Sequence, residues 1–376
     1  MGTHVPAKRP FCPSCSKPAR VCLCSRIKTP LLDNSIAVTI LQHSQEKNHP
    51  LNSTRIATLG LKNLTIATVS DVHFEAQFFI RLLKSDFEQI PCYPEEKISA
   101  LIAKHAECGF TGDLINGKSD FVGLEIPLNQ LEKQNQDSDL VSTILTAKES
   151  IPNKQSAITH QNHLQKPIFY QIDQTQASEE PVISATVAKC GFTCSVTQLL
   201  SHQTQFEKPN FDQLLASQVG QDAISNGFVV KRLQKKQMKE SKEFEEQEEF
   251  EIVVPPGSAL LFPSKDSISL EAIDFEVKHL IVLDGTWRKA KRMYHENPWL
   301  KFLPHLKLNS NKLSLYSEVR QQPSAGCLST IESILFAMKG LGHDQEGLDD
   351  LLDVFESMVG DQRRCKDENV SKLSPT

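Results

Sequence analysis

The chain has 376 residues, room for two or three domains and a real hydrophobic core at roughly 150 residues per domain. Charged residues make up 23% and apolar ones 39%, and no run approaches the roughly 18 apolar residues that span a bilayer, which excludes a membrane protein. The net charge of −5 by itself argues against a nucleic-acid binder, yet the charge is segregated: residues 1–30 hold six Lys or Arg and no acid, residues 278–320 nine basic against three acidic, and Glu240–Glu251 seven acids and one lysine.

The N-terminus carries charge without an apolar stretch, and Pro6 stands where a myristoylation signal needs Ser or Thr, so a cytoplasmic protein is expected. In a reducing compartment clustered thiols mean metal or catalysis more often than disulfides. The head CPSCSKPARVCLC places Cys12, Cys15, Cys22 and Cys24 as C-x2-C-x6-C-x-C. Such spacing suits a tetrahedral structural Zn2+ that staples residues 1–30, a head too small to fold alone, with the neighbouring cations free to touch nucleic acid. Cys92, Cys108, Cys190, Cys194, Cys327 and Cys365 lack such spacing and read as packed thiols.

Next, the β-branched stretch 35–42 predicts a buried strand, 53–62 a helix and 65–69 a second strand, together the length of a parallel crossover unit. Residues 72–84 are expected to form a further helix. From 96 to 251 glutamine-rich, weakly apolar sequence reads as an insertion, partly ordered at best, with an amphipathic helix at Ile98–Glu107 and short strands at 167–172 and 181–187. Its last part, 229–251, basic then acidic, reads as a solvated helix. Residues 31–95 and 252–376 then form one α/β domain. It resumes with strands at 258–262 and 279–283, a basic helix opened by Asp284-Gly285-Thr286-Trp287, a strand at 312–318, and helices at 329–339 and 346–359.

The junction at Asp284 is where an open α/β sheet collects ligands, because backbone N–H groups and a helix dipole meet there. Gly285 permits close backbone approach. Arg288, Lys289, Lys291 and Arg292 oppose the helix dipole, which a bound anion would offset. The alternative is an N-capping Asp284 and a solvated basic face, with Trp287 packed rather than stacked on a ligand. His43, Glu46, His49, Asn52 and Arg55 follow the first strand, and gripping a ligand or capping a helix through Asn52 or Ser53 are equally good readings of them. Arg320 follows a strand, and Ser329-Thr330-Ile331-Glu332 matches a capping box, which leaves room for a ligand at the same helix end.

The order of these segments, a C-x2-C and C-x-C head, LQH-x2-E with Asn52-Ser53, GSALLFPS, D-G-T-W with following cations, R-x2-P and STIE, resembles the DTW-domain family, the tRNA-uridine aminocarboxypropyltransferases. The resemblance covers about residues 11–70 and 255–340, and DGTW and STIE are its most specific parts. It implies a SPOUT-like α/β fold with a mostly parallel sheet and a knotted C-terminal part. It also implies S-adenosylmethionine as donor, tRNA as partner, transfer of the 3-amino-3-carboxypropyl group to a uridine, and release of methylthioadenosine. On that resemblance Asp284 is catalytic, as general base or as the group that orients the donor's amino group. His43, Glu46, Asn52, Gly285, Thr286, Trp287, Ser329, Thr330 and Glu332 hold the donor. Arg288, Lys289, Arg292 and Arg320 hold its carboxylate or the tRNA phosphates. Knotted relatives are often dimers, so a homodimer is admitted. The rival readings are a SPOUT-type RNA methyltransferase using the same donor and a non-catalytic zinc-dependent RNA-binding protein. A tRNA substrate implies binding that weakens steeply with salt.

Overall fold

A computed structural model describes residues 10–83, 182–198, 211–238, 243–309, 313–320, 322–323, 326–343 and 346–373. The expected helix at Ile98–Glu107 and strand at 167–172, together with Cys92 and Cys108, lie outside these residues.

Strand β1 (Ala37–His43) is buried at every position, as its unbroken apolar run requires, and pairs in parallel with β2 (Leu64–Val69) through helix α1 (Thr54–Gly60). Further along, β8 (Ser258–Leu261), β9 (Ile268–Ser269), β10 (His279–Asp284) and β11 (His305–Lys307) complete a six-stranded, wholly parallel sheet in the order β2-β1-β10-β8-β11-β9.

Alternation along the central strands decides what covers each face. Val38 and Ile40, Ala259 and Leu261, and Leu280 and Val282 join a cluster with α1, with helix α5 (Thr330–Gly340) and with helix α6 (Glu346–Leu373). The intervening Leu41, Leu260, Ile281 and Leu283 join a second cluster, with helix α4 (Trp287–Glu296) and the 3-10 turn Pro298–Phe302. That cluster also takes in the inner face of an antiparallel sheet, β5-β4-β3-β6-β7, built from β3 (Glu75–Leu82), β4 (Ile183–Ala188), β5 (Thr193–Gln198), β6 (Phe228–Gln237) and β7 (Phe244–Val254). Two short helices, α2 (Phe211–Leu215) and α3 (Gln218–Asn226), pack their apolar residues on the same cluster. The architecture is mixed α/β around a mostly parallel sheet.

Three expectations of secondary structure are corrected. The segment expected as a helix at 72–84 is β3, because EAQFFIRL alternates: Ala76, Phe78 and Ile80 are buried while Glu75, Gln77, Phe79 and Arg81 are not. Residues 229–251 form β6 and β7, not a solvated helix. Opposite charges face one another across this pair, Lys231 meeting Glu248 at 2.7 Å and Lys235 and Lys236 standing opposite Glu246 and Glu245, which a sheet rewards and a single helix leaves unused. The strand expected at 312–318 is a 3-10 turn over Leu315–Glu318, begun by the Ser314 hydroxyl, which accepts from the Tyr316 N–H.

Cys190 and Cys194 are exposed at and beyond the β4–β5 turn, correcting their reading as packed thiols, whereas Cys327 is buried. In the head, Cys15 and Leu23 enter the α5–α6 cluster. Among its described cations Arg26 pairs with Asp361 at 2.7 Å, Lys28 with Asp350 at 2.8 Å, and buried Lys17 donates to the Pro50 carbonyl at 2.5 Å. Burial pushes the Lys17 amine down to about 8. Acids of α6 thus engage Arg26 and Lys28, whereas Lys8 and Arg9 lie outside the described residues. No helix of the described residues is long and apolar enough to cross a membrane.

Candidate active site

The parallel sheet places β1 and β10 side by side with Gln42 opposite Asp284 at their carboxyl ends. The Gln42 amide donates to Asp284 Oδ2 at 2.9 Å and the Thr330 hydroxyl, from the first turn of α5, donates to Oδ1 at 2.5 Å. Both oxygens of the largely buried Asp284 are thus fixed by donors from two separate elements, and the carboxylate plane is set before any ligand arrives.

Around this corner opens a cleft of about 640 Å³, its mouth included, lined by Glu46, Leu51, Asn52, Ser53, residues 284–287, Tyr316, Arg320, Gln322, Pro323, Cys327, Leu328, Ser329 and Thr330. The Thr286 hydroxyl, not Asp284, caps α4 by accepting from the Lys289 N–H at 3.4 Å. That leaves the Asp284 carboxylate out of the helix cap. A Cβ on Gly285 would lie 3.1 Å from that of Lys289 and 3.5 Å from that of His43, which explains a glycine where strand, loop and helix converge. Trp287 lines the cleft and also packs against the second apolar cluster.

Glu46 is buried, with Lys289 at 3.0 Å and Arg320 at 3.9 Å. Burial works against its charge, but those two cations hold the Glu46 carboxyl below its ordinary value. The Glu46–Asn52 loop is tied down from several sides. Asn52 accepts from the Thr54 N–H at 2.9 Å and donates to the Glu46 carbonyl at 3.0 Å, so it both organises the loop and faces the cleft. Lys17 of the head holds Pro50, and the Tyr316 hydroxyl donates to the Leu51 carbonyl. Burial raises the Tyr316 phenol well above its usual range, keeping it a donor.

Other expected residues stand elsewhere. His43 is buried and does not line the cleft. Its Nε2 meets Asp71 at 3.2 Å and its Nδ1 accepts from the Gln45 N–H. Arg292 is held by Asp71 at 3.1 Å and Glu296 at 2.8 Å, with the Val72 carbonyl also in reach. The chain before Asp71 is fixed by β6 and β7: fully buried Arg232 pairs with Glu249 at 2.7 Å and donates to the Ser70 carbonyl, while Glu249 accepts from the Ser70 N–H. Glu332 is buried in the capping box with Ser329 and also accepts from Ser314 and the Leu315 N–H. Arg288 lies exposed on α4, Arg55 is half-buried at the start of α1, and His49 sits in the loop, its ring lowered by burial and by Arg320.

Tyr316, Gln322, Pro323, Cys327 and Leu328 line the cleft without having been singled out as candidates. The aromatic residue between Ser314 and Arg320, in a stretch read as a strand, was the available signal for Tyr316.

The four head sulfurs lie within 4.8 Å of one another, with Cys12 Sγ 3.7 Å from Cys24 Sγ and Cys15 Sγ 3.7 Å from Cys22 Sγ. Tetrahedral zinc with Zn–S bonds of about 2.3 Å requires sulfurs roughly 3.8 Å apart, so the cluster could bind a metal and is compatible with zinc. N–H groups of Cys15 and Ser14 bring the Cys12 thiol down to about 6, whereas burial and the neighbouring thiols push Cys24 up to about 12 and Cys22 is raised as well, so without a cation the crowded cluster favours one thiolate over several.

A family model described as the DTW domain matches residues 9–116 and 179–363. A Drosophila melanogaster protein named tRNA-uridine aminocarboxypropyltransferase 2 is 42% identical over 84 residues, 22% of this chain and 33% of that protein. Its Mus musculus namesake is 31% identical over 86 residues, 22% of this chain and 28% of that protein, and an Arabidopsis thaliana tRNA-uridine aminocarboxypropyltransferase A is 34% identical over 58 residues, 15% and 22%. The matched stretch thus spans a third or less of each of these curated relatives. No solved structure matches. With the family model covering more than half of its length, and with the DGTW and STIE segments meeting at one carboxylate, the chain belongs to the DTW domain family.

Proposed function

We propose that this protein transfers the 3-amino-3-carboxypropyl group of S-adenosylmethionine to a uridine of tRNA and releases methylthioadenosine. The observation that carries the reading is the cleft's charge pattern: Asp284, anchored by Gln42 and Thr330, and Arg320, loosely engaged at 3.9 Å by Glu46, line one cavity. An ammonium beside Asp284 and a carboxylate beside Arg320 are what an α-amino-acid arm presents. The names of the matched relatives support the same activity.

In this reading the donor supplies the electrophilic carbon. The uracil imide nitrogen attacks the methylene next to the sulfonium, the carbon–sulfur bond breaks with its electron pair moving to sulfur, and methylthioadenosine leaves. The imide proton passes to a base or to solvent. The sulfonium activates its methyl and methylene carbons alike, so the arm's position selects the product. Asp284 then acts by orienting the arm's ammonium, because its two fixed hydrogen bonds give it a defined direction. Trp287 flanks the cleft for stacking on a base or on the adenine. Zinc held by Cys12, Cys15, Cys22 and Cys24 is structural in the same proposal and supplies no chemistry to the transfer. A SPOUT-type knotted topology belongs to it too, supported by the all-parallel sheet and by the meeting of the 284–287 and 316–330 segments at one corner.

Nucleoside mass spectrometry of a tRNA transcript incubated with protein and donor tests this reading. A uridine carrying the aminocarboxypropyl group supports it, a methylated nucleoside supports the methyltransferase rival, and unmodified RNA with tight binding supports the non-catalytic one.

A further inference from the structure

Building on the tRNA-modifying reading, we propose that the RNA backbone is gripped by a rim of three cations at the cleft mouth, Lys47, Arg288 and Lys291. The ion pair between Glu46 and Lys289, 3.0 Å long, joins the loop after β1 to the first turn of α4. The sequence neighbours of that pair, Lys47 on the loop and Arg288 on the helix, are both exposed. Lys291 follows Arg288 by three residues, on the same helix face, and is also exposed. Lys289 and Arg292, between and beyond them, turn inward to Glu46, Asp71 and Glu296.

Among the described residues none of the three rim cations has an ion-pair partner, whereas Arg26, Lys28 and Lys17 of the head are committed to α6 or to the Pro50 carbonyl. Cations concentrated in the first turns of a helix oppose its dipole, and a polyanion offsets that cost. Trp287 and Asp284 open beside this rim, so a backbone lying on it brings a base to the cleft.

The test is the salt dependence of binding of the full-length protein to an unmodified tRNA transcript. Each lost phosphate contact flattens log K against log salt by about 0.7–0.9. The triple variant Lys47→Ala/Arg288→Ala/Lys291→Ala is expected to flatten the slope by about two to three. The charge-keeping triple Lys47→Arg/Arg288→Lys/Lys291→Arg is expected to retain it. A control triple at exposed lysines elsewhere, Lys189→Ala/Lys236→Ala/Lys366→Ala, is expected to leave it unchanged. A wild-type slope in the rim triple, or an equal loss in the control, overturns the rim while leaving the tRNA reading intact. A wild-type protein that does not bind the transcript overturns both.

Discussion

Gln42 and Asp284 face each other at the carboxyl ends of the two central strands, and the Gln42 amide holds one oxygen of the Asp284 carboxylate at 2.9 Å. The other oxygen belongs to Thr330, so one acid is fixed by two residues that lie at opposite ends of the sequence.

Removing either donor is expected to loosen Asp284 without disturbing the fold. A hydrogen bond to a charged group contributes about 1.5–3 kcal/mol, so Gln42→Leu and Thr330→Val should each lower kcat/KM roughly ten- to hundredfold. Methylthioadenosine release measured beside far-UV circular dichroism checks this. Either variant turning over like the wild type removes the positioning role from that residue.

The head should depend on its metal. Elemental analysis is expected to find about one zinc per chain, the content of a single tetrathiolate site. Cys12→Ser and Cys24→Ser should lose it and melt several degrees lower, because Cys15 and Leu23 belong to the same core as α5 and α6. Purified protein free of metal, with unaltered melting in both variants, contradicts a stapling site.

Lys17 links the head to the cleft loop through the Pro50 carbonyl. Replacing it with methionine removes a buried cation, so stability should hold or rise, while the loop loses an anchor. The expected split is a KM for the donor raised several-fold with kcat little changed, along with altered fluorescence from Trp287 in the cleft. A KM equal to that of the wild type would sever head from cleft.

His279 gives a pH signature. It lies fully inside the sheet, bonded to Thr39 at 2.8 Å and Ser258 at 2.9 Å, and burial lowers it from 6.5 to about 4. The unfolded chain therefore binds a proton between those values that the folded chain refuses, and stability must fall as pH drops from about 6.5 to 4, by about 3 kcal/mol in total. Denaturant titrations of wild type and His279→Gln across this window should differ in slope. Parallel pH dependences would show that the ring does not titrate as its burial requires.

Much of the parallel sheet was legible because its strands are short apolar runs bounded by turns, and the strand-to-helix junction at DGTW announced the site in one segment. The antiparallel sheet was not, although FEEQEEFEIVV and FVVKRLQKKQ alternate at their apolar ends. Charge dominated the reading of both, and only strand pairing shows that the lysines of one meet the glutamates of the other. Within the site, Asp284, Gly285, Thr286, Trp287, Asn52, Arg320 and Thr330 meet at one cleft. His43 and Arg292 are absorbed by Asp71, a residue with no motif around it, whose position depends on a buried pair from β6 and β7. Tyr316 escaped notice because its segment turns as a 3-10 helix where its composition suggests a strand.

The most direct test follows the leaving group. Wild-type protein mixed with S-adenosylmethionine and a tRNA transcript is expected to release methylthioadenosine in step with modified uridine, and Asp284→Ala to lose at least a hundredfold of that rate while remaining folded. Release of S-adenosylhomocysteine instead, or an Asp284→Ala variant as fast as the wild type, contradicts an amino-acid arm held at Asp284.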